Sequence, residues 1–259
     1  MGKYTAIILS TFMLALAASS CNKDEKGSLS LTFKADYDGQ PLAMFEDQDY
    51  LGNQSIQFSA INFFLSDVAL EKDGVETLLD EIQLVDISAT TPAAAESGTT
   101  VTFRNIDADS YDRLVFGFGV PDRLNRKTPA DFDADHPLSN GAFYWQNWNS
   151  YIFSKTEGLM DTVGNGTFDL GWLVHTGSAI DSFGNLNFDA YRRFATPMNV
   201  DIRDDQTTNL TFRIDYKMMM QENGTPFDLK DKPRNHNPND TARLKVYLNN
   251  YPTAMSIEI

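Results

Sequence analysis

Cysteine is nearly missing from this chain, since only Cys21 occurs among its 259 residues. One thiol cannot form an intrachain disulfide, and it cannot supply an all-cysteine zinc site or an iron–sulfur cluster. Histidine is scarce as well, with only His136, His175 and His236. The sequence therefore offers few ligands for a metal site made of histidine alone.

Basic residues are also far fewer than acidic residues. The chain has 21 Lys and Arg against 36 Asp and Glu, and its formal net charge is −15. Such a field repels phosphate, so the sequence argues against nucleic-acid binding and against an anionic membrane surface as a partner of the folded part. Hydrophobic residues make up 42% and aromatic residues 12%, which is enough for a sizeable core.

Sequence motifs of common enzymes are missing too. The sequence has no Gly-x-Ser-x-Gly elbow, no glycine-rich phosphate loop and no His-Glu-x-x-His pair. We therefore expect a binding protein and not an enzyme.

The N-terminus has the organisation of an export signal. Lys3 precedes an apolar run from Ala6 to Ala18, which is too short for an ordinary membrane-spanning helix. Small residues then lead directly to Cys21, a pattern that resembles the lipobox of bacterial lipoproteins. The resemblance implies a signal peptide over residues 1–20, acylation of Cys21 and a lipid anchor in the outer membrane. A plain signal peptide followed by an incidental cysteine is the alternative.

Residues 21–27 are predicted to be a linker. Within them, Lys23-Asp24-Glu25 is similar to a tag that exports some lipoproteins to the cell surface. The mature protein is thus expected in the cell envelope, either periplasmic or surface-exposed.

Strand patterns dominate the rest of the chain. Leu29, Leu31 and Phe33 alternate with polar residues, and the same period of two recurs in later segments such as 114–120, 168–174, 210–218 and 242–248. Short helical turns are expected only in segments such as 76–87 and 186–194. The pattern predicts one all-β domain over residues 28–259, an antiparallel sandwich or barrel of immunoglobulin-like or Greek-key character.

Aromatic residues are concentrated between Phe143 and Gly158, where Trp145 and Trp148 lie three positions apart. Indole rings this close together need a large apolar environment and a hydrogen-bond partner for each N–H group. The segment is interpreted either as core packing at a corner of the sheet or as the lining of a binding pocket.

Several segments, taken in order, resemble the MbnP-like domain family, copper-associated β-proteins of the bacterial envelope. The matching segments are Phe63–Leu70, Leu84–Asp86, Phe116–Pro121, Tyr144–Gly158, Leu173–Gly177 and Asn249–Ile259. The resemblance implies a copper site made of histidine imidazoles and an oxidised tryptophan, together with a haem peroxidase-type partner enzyme as the oxidant. Carried over to this sequence, it selects His175 as a ligand and Trp145 or Trp148 as the modified residue.

The sequence departs from the family pattern at two points. The tryptophan pair is one residue further apart than usual, and the opening strand carries Lys34 and Asp36 where many relatives have histidine. A second imidazole is thus missing from its expected position, and His136 and His236 are placed in loops. On this basis copper binding is expected to be weak or absent, and the alternative is a surface β-sandwich module that binds a glycan or a protein without metal.

Calcium is a further candidate cofactor, although the pattern gives it little support. Asp131, Asp133 and Asp135 supply oxygen ligands two residues apart, as a calcium loop needs. The sixth position is His136 instead of glycine, and the twelfth is Ala142 instead of glutamate. A solvated acidic loop is the preferred interpretation.

The leader generates the first prediction. The Cys21→Ala substitution should release the protein from membranes, because it removes the only thiol that can be acylated. Fractionation at low and high salt measures this. A variant that stays with the membrane under both conditions contradicts the lipoprotein interpretation.

Overall fold

The computed structural model describes residues 25–236 and 241–259, and extended strands predominate within them. Cys21 and the predicted leader, residues 1–20, lie outside the described residues. No helix in the described part of the chain has both the length and the apolar character needed to cross a bilayer.

The elements follow each other in a simple order along the chain. The strands are β1 (Lys26–Tyr37), β2 (Gln40–Pro41), β3 (Gln48–Asp49), β4 (Ser55–Lys72), β5 (Val75–Asp86), β6 (Thr99–Asp107), β7 (Asp109–Phe118), β8 (Tyr144–Trp145), β9 (Ser150–Tyr151), β10 (Ser154–Asp161), β11 (Leu170–Thr176), β12 (Arg192–Ile202), β13 (Thr207–Asp215), β14 (Gln221–Glu222), β15 (Thr225–Pro226), β16 (Arg234–Asn235) and β17 (Met255–Glu258). The α-helices are α1 (Pro92–Ser97), α2 (Asp122–Asn125), α3 (Tyr216–Met219), α4 (Ala242–Asn249) and α5 (Tyr251–Ala254). Short 3-10 turns cover Pro129–Asp131, Pro137–Ser139, Gly141–Phe143 and Gln146–Trp148.

Two sheets form a sandwich, which confirms the predicted all-β class with few short helices. The first sheet has the order β17-β13-β1-β2, and β6 also pairs with β1. The second has the order β12-β7-β4-β10-β11-β16, with β3 and β5 paired to β4. The sheets were predicted to be antiparallel, but they are mixed. Strand β1 pairs with β13 in parallel, and β11 pairs with β16 in parallel. Both parallel pairs join segments distant in sequence, and alternation along a strand does not reveal such pairings.

The two sheets bury a continuous aromatic core. Phe33 of the first sheet lies 5.4 Å from Phe63 of the second, measured between ring centroids, and stacks on Phe212 of its own sheet at 4.8 Å. Phe118 packs edge-on against Phe63 at 4.9 Å. All four rings are buried, so the alternating apolar residues of the sequence do face the interior of the sandwich.

Strand β4 organises the second sheet. Its first half pairs with β10, between Ser55 and Phe63, and its second half pairs with β7, between Leu65 and Glu71. The segment between β7 and β10 has to leave the sheet and return, and it carries the aromatic residues from Phe143 onward. The fold thus places this segment beside the middle of β4.

Several local predictions were wrong. Residues 242–248 were predicted to be a strand, but they form helix α4, in which Leu244, Tyr247 and Leu248 are buried. Their spacing of three and four residues is the helical period, and it outweighs a partial alternation over so few residues. Conversely, residues 76–87 and 186–194 were expected to hold helical turns. Residues 76–86 instead pair with β4 as part of strand β5, and residues 192–194 pair with β7 at the start of strand β12.

The remaining difference concerns the start of the domain. Strand β1 begins at Lys26, inside the segment 21–27 that was predicted to be a linker. Lys26 and Gly27 pair with the end of β6, opposite Asp107 and Ile106. The sheet therefore begins two residues earlier than the alternation of apolar residues indicated.

Gly158 lies where β10 is irregularly paired with β4. A Cβ atom at this position would lie 1.9 Å from the carbonyl oxygen of Gln57 and 2.5 Å from the Trp172 ring. The Trp172 ring is fixed in place, because its Nε1–H donates to the carbonyl oxygen of Leu159 at 3.0 Å. Only glycine fits between this backbone and this ring.

We therefore expect Gly158→Ala to lower the free energy of unfolding by about 1–3 kcal/mol or more, because an added methyl group overpacks the core. The matched control is Gly171→Ala on the adjacent strand, where an added Cβ meets no atom within 4 Å. Urea denaturation of both variants measures the difference. Equal losses of stability would contradict the packing argument.

Candidate metal centre

The candidate site lies on the face of the second sheet that is turned away from the sandwich core. Along β11, Trp172 and Val174 are buried in the core, so alternation places His175 on the opposite face. The segment between β7 and β10 covers this face. Lys155 of β10 holds the segment there, because its Nζ donates to the carbonyl oxygen of Ala142 at 2.9 Å and lies 4.1 Å from the centroid of the Phe143 ring.

Two histidines stand side by side at the edge of the sheet. Leu173 pairs with Arg234 and Val174 with Asn235 in the parallel ladder between β11 and β16. One further step in the same register places His175 beside His236. The two imidazole centroids are 6.3 Å apart, although 61 positions separate the residues in the sequence.

The tryptophan pair closes over these rings. Trp145 and Trp148 are stacked with centroids 5.3 Å apart and planes 10° from parallel. Trp145 lies 4.5 Å from the centroid of His236 and 6.4 Å from that of His175. The three residues selected from the sequence, His175, Trp145 and Trp148, are therefore brought together.

The two tryptophans have different surroundings. Trp148 is buried, and its Nε1–H donates to the backbone carbonyl of His236 at 3.0 Å. Its ring packs directly against Gly177, where a Cβ atom would come within 2.3 Å. Trp145 is only half-buried and contacts both imidazoles. Trp148 thus anchors the His236 backbone, whereas Trp145 is the indole that faces the imidazoles.

Each imidazole has a buried ring nitrogen without a partner. The Nε2 atom of His175 is 2.7 Å from Oε1 of Glu157. The Nδ1 atoms of His175 and His236 are both buried, and neither has a hydrogen-bond partner among the described residues. A buried nitrogen lone pair without a donor is costly, and an ion that coordinates it removes the cost.

Burial favours the neutral form of both imidazoles. It lowers the pKa of His175 below its usual value, although the hydrogen bond to Glu157 and the charge of that carboxylate act in the opposite direction. Burial also lowers the pKa of His236, and the positive charge of Arg234 adds to this effect. Neutral imidazole is the form that binds a metal ion.

Sequence reasoning missed His236 because it was treated as a loop residue. Strand β16 spans only Arg234–Asn235, so it leaves no period of two to recognise. Glu157 belonged to a family motif but received no role. In both cases the missing information is the pairing between strands.

The other sequence candidates do not form a metal centre. His136 stacks on Phe132, and its Nδ1 accepts a hydrogen bond from the backbone of Leu138. The Asp131 carboxylate accepts from the backbone and the hydroxyl of Thr128. In residues 25–236 and 241–259 no group of three or more His, Cys, Asp or Glu side chains is arranged to hold an ion. The calcium loop considered for Asp131, Asp133 and Asp135 is therefore not formed there.

Comparison with known proteins agrees with this architecture. The model of the MbnP family matches residues 26–239, which include His175, His236 and both tryptophans. The chain belongs to the MbnP family. Among solved structures, it is similar to MbnP from Methylosinus trichosporium with a TM-score of 0.51 and 14% sequence identity, over 75% of this chain and 78% of that one. At this identity the likeness concerns the fold. No functionally curated protein matches the sequence.

Proposed function

We propose that this MbnP-family protein binds one copper ion through His175 and His236. The observation that carries the proposal is the pair of imidazoles on β11 and directly after β16, each with a buried Nδ1 atom that has no hydrogen-bond partner among the described residues. Imidazole is a good ligand for copper, and the MbnP family is associated with this metal. His236 supplies the second imidazole that the opening strand of the sequence lacks.

The spacing of the two rings is compatible with one shared ion. Metal–imidazole bonds are about 2 Å long, so two imidazoles on one ion have ring centroids roughly 5–6 Å apart. The observed separation of 6.3 Å lies just above this range, and the rings are therefore close to the spacing that an ion requires. The two rings supply only two nitrogen donors, so a further ligand is needed for tight binding.

Trp145 is the residue from which that ligand can come. It lies closer to His236 than to His175 and is more exposed than Trp148. Cleavage of the C2–C3 bond of its indole, with two equivalents of hydrogen peroxide reduced to water, followed by hydrolytic loss of C2 as formate, would leave a kynurenine. Its amine and its ketone would lie next to the imidazoles, and either group can coordinate copper. We assign the oxidation to a haem peroxidase-type partner enzyme, which can reach Trp145 more easily than the buried Trp148.

The role we infer is metal binding in the cell envelope, and not enzymatic catalysis. The N-terminal residues resemble an export signal followed by a lipobox, so we infer a lipoprotein anchored at Cys21 in the outer membrane. A bound copper ion would supply a redox-active metal, while the protein residues hold it and limit its contact with water. The acidic surface favours the approach of cations in general.

Copper titration of purified, untagged protein tests the proposal. We expect His175→Ala and His236→Ala each to weaken copper binding at least about 100-fold, because loss of an outer-shell partner alone typically costs 10–100-fold. His136→Ala is the matched control and should bind like the wild type, since this ring stacks on Phe132 instead. Wild-type protein that binds no copper even after oxidation of Trp145, checked by intact mass, would support a module without metal.

The dependence of copper binding on pH follows from the lowered pKa values. An unperturbed imidazole is half protonated at about pH 6.5, whereas burial lowers the pKa of His175 and of His236, so both rings stay neutral to lower pH. Copper affinity should therefore fall less between about pH 7.5 and 6.5 than that of a site made of unperturbed imidazoles, and it should fall further when protons compete for the rings at lower pH. Titrations against a copper buffer at each pH measure this. A steep loss already above pH 6.5 would contradict neutral, buried ligands.

A further inference from the structure

Glu157 contacts His175 but lies outside the group of proposed copper ligands. It belongs to β10, opposite Leu173 of β11, and its Oε1 atom lies 2.7 Å from Nε2 of His175. The imidazole side chain is 9% exposed and the carboxylate side chain 36% exposed. The carboxylate thus approaches a nearly buried ring from the solvent side.

The chemistry of this contact fixes the proton on the imidazole. An ionised carboxylate only accepts hydrogen bonds, and a neutral imidazole has one donor nitrogen and one acceptor nitrogen. Because Nε2 faces the carboxylate, Nε2 carries the hydrogen. Nδ1 is then the nitrogen with the free lone pair, and it is the buried nitrogen for which the described residues offer no partner.

The ammonium group of Lys155 does not disturb the contact between Glu157 and His175. Lys155 pairs directly with His175 across the strands, but its ammonium group is bound to the carbonyl oxygen of Ala142 and lies over the Phe143 ring. Lys155 therefore holds the segment that carries Trp145, while Glu157 holds the imidazole. The two neighbours on β10 fix the two halves of the site separately.

We propose that Glu157 is the positioning residue of the metal centre. It holds His175 in the tautomer with hydrogen on Nε2 and prevents rotation of the ring, so that Nδ1 is the nitrogen presented to the ion. This inference rests on the proposed copper site, since it names the group that orients one of its ligands. Outer partners of this kind typically change metal affinity 10–100-fold.

The orientation can be tested without copper. In metal-free protein labelled with ¹⁵N-histidine, we expect the His175 ring to be in one tautomer, with a slowly exchanging hydrogen on Nε2. His175→Ala assigns the signal. Glu157→Ala should mix the tautomers and speed the exchange of this hydrogen, whereas Glu76→Ala, which removes a carboxylate paired with Arg193, should leave the signal unchanged. A His175 signal that is identical in Glu157→Ala and the wild type would overturn the proposal.

Copper titration of the same proteins tests the consequence for binding. Glu157→Ala should bind copper about 10–100-fold more weakly than the wild type. Glu157→Gln should recover part of the loss, because its amide oxygen still accepts from Nε2–H, and Glu76→Ala should bind normally. Wild-type binding that is unaffected in Glu157→Ala would overturn the positioning role alone. Absence of binding by the wild type would overturn the copper site itself, and the tautomer measurement would still report on the contact between Glu157 and His175.

Discussion

The parallel pairing of β16 with β11 is the constraint on which the candidate site depends. Two residue pairs define the register, and the backbone N–H of Leu173 also donates to the carbonyl oxygen of Pro233 at 2.8 Å. This register brings His236 beside His175, and the indole of Trp148 then holds the His236 backbone at 3.0 Å. A shift of one residue would turn the His236 side chain to the other face of the sheet, because side chains alternate along a strand.

The site combines a rigid side with an exposed side. The sheet and the buried Trp148 fix the two imidazoles, and Lys155 ties the covering segment to β10. Trp145 stacks on Trp148 but remains half-exposed. Such an arrangement suits the proposed completion of the site by oxidation, because the Trp145 ring is accessible while its surroundings stay in place. In the proposed site, Trp148 supports the His236 backbone and Trp145 is the ring that is oxidised.

Features that depend on neighbouring residues could be predicted from the sequence, whereas features that depend on contacts between distant strands could not. Alternation along β1 and β7 predicted the sandwich, and ordered motifs predicted the family together with His175, Trp145 and Trp148. The roles proposed for His236 and Glu157 rest on contacts between strands, which a single sequence does not display. Helix α4 was mistaken for a strand because its few apolar residues fit both periods. The parallel pair of β1 and β13 was missed for the same reason as His236, since its two strands lie far apart in the chain.

The central claim is that one copper ion is shared by His175 and His236. A crystal structure of the copper-loaded protein, with anomalous diffraction measured on both sides of the copper absorption edge, tests it most directly. The account predicts a single anomalous peak between the two rings, within about 2–2.1 Å of the Nδ1 atom of each, beside the ring derived from Trp145. A peak bound to only one of these histidines, or located away from both, would contradict it.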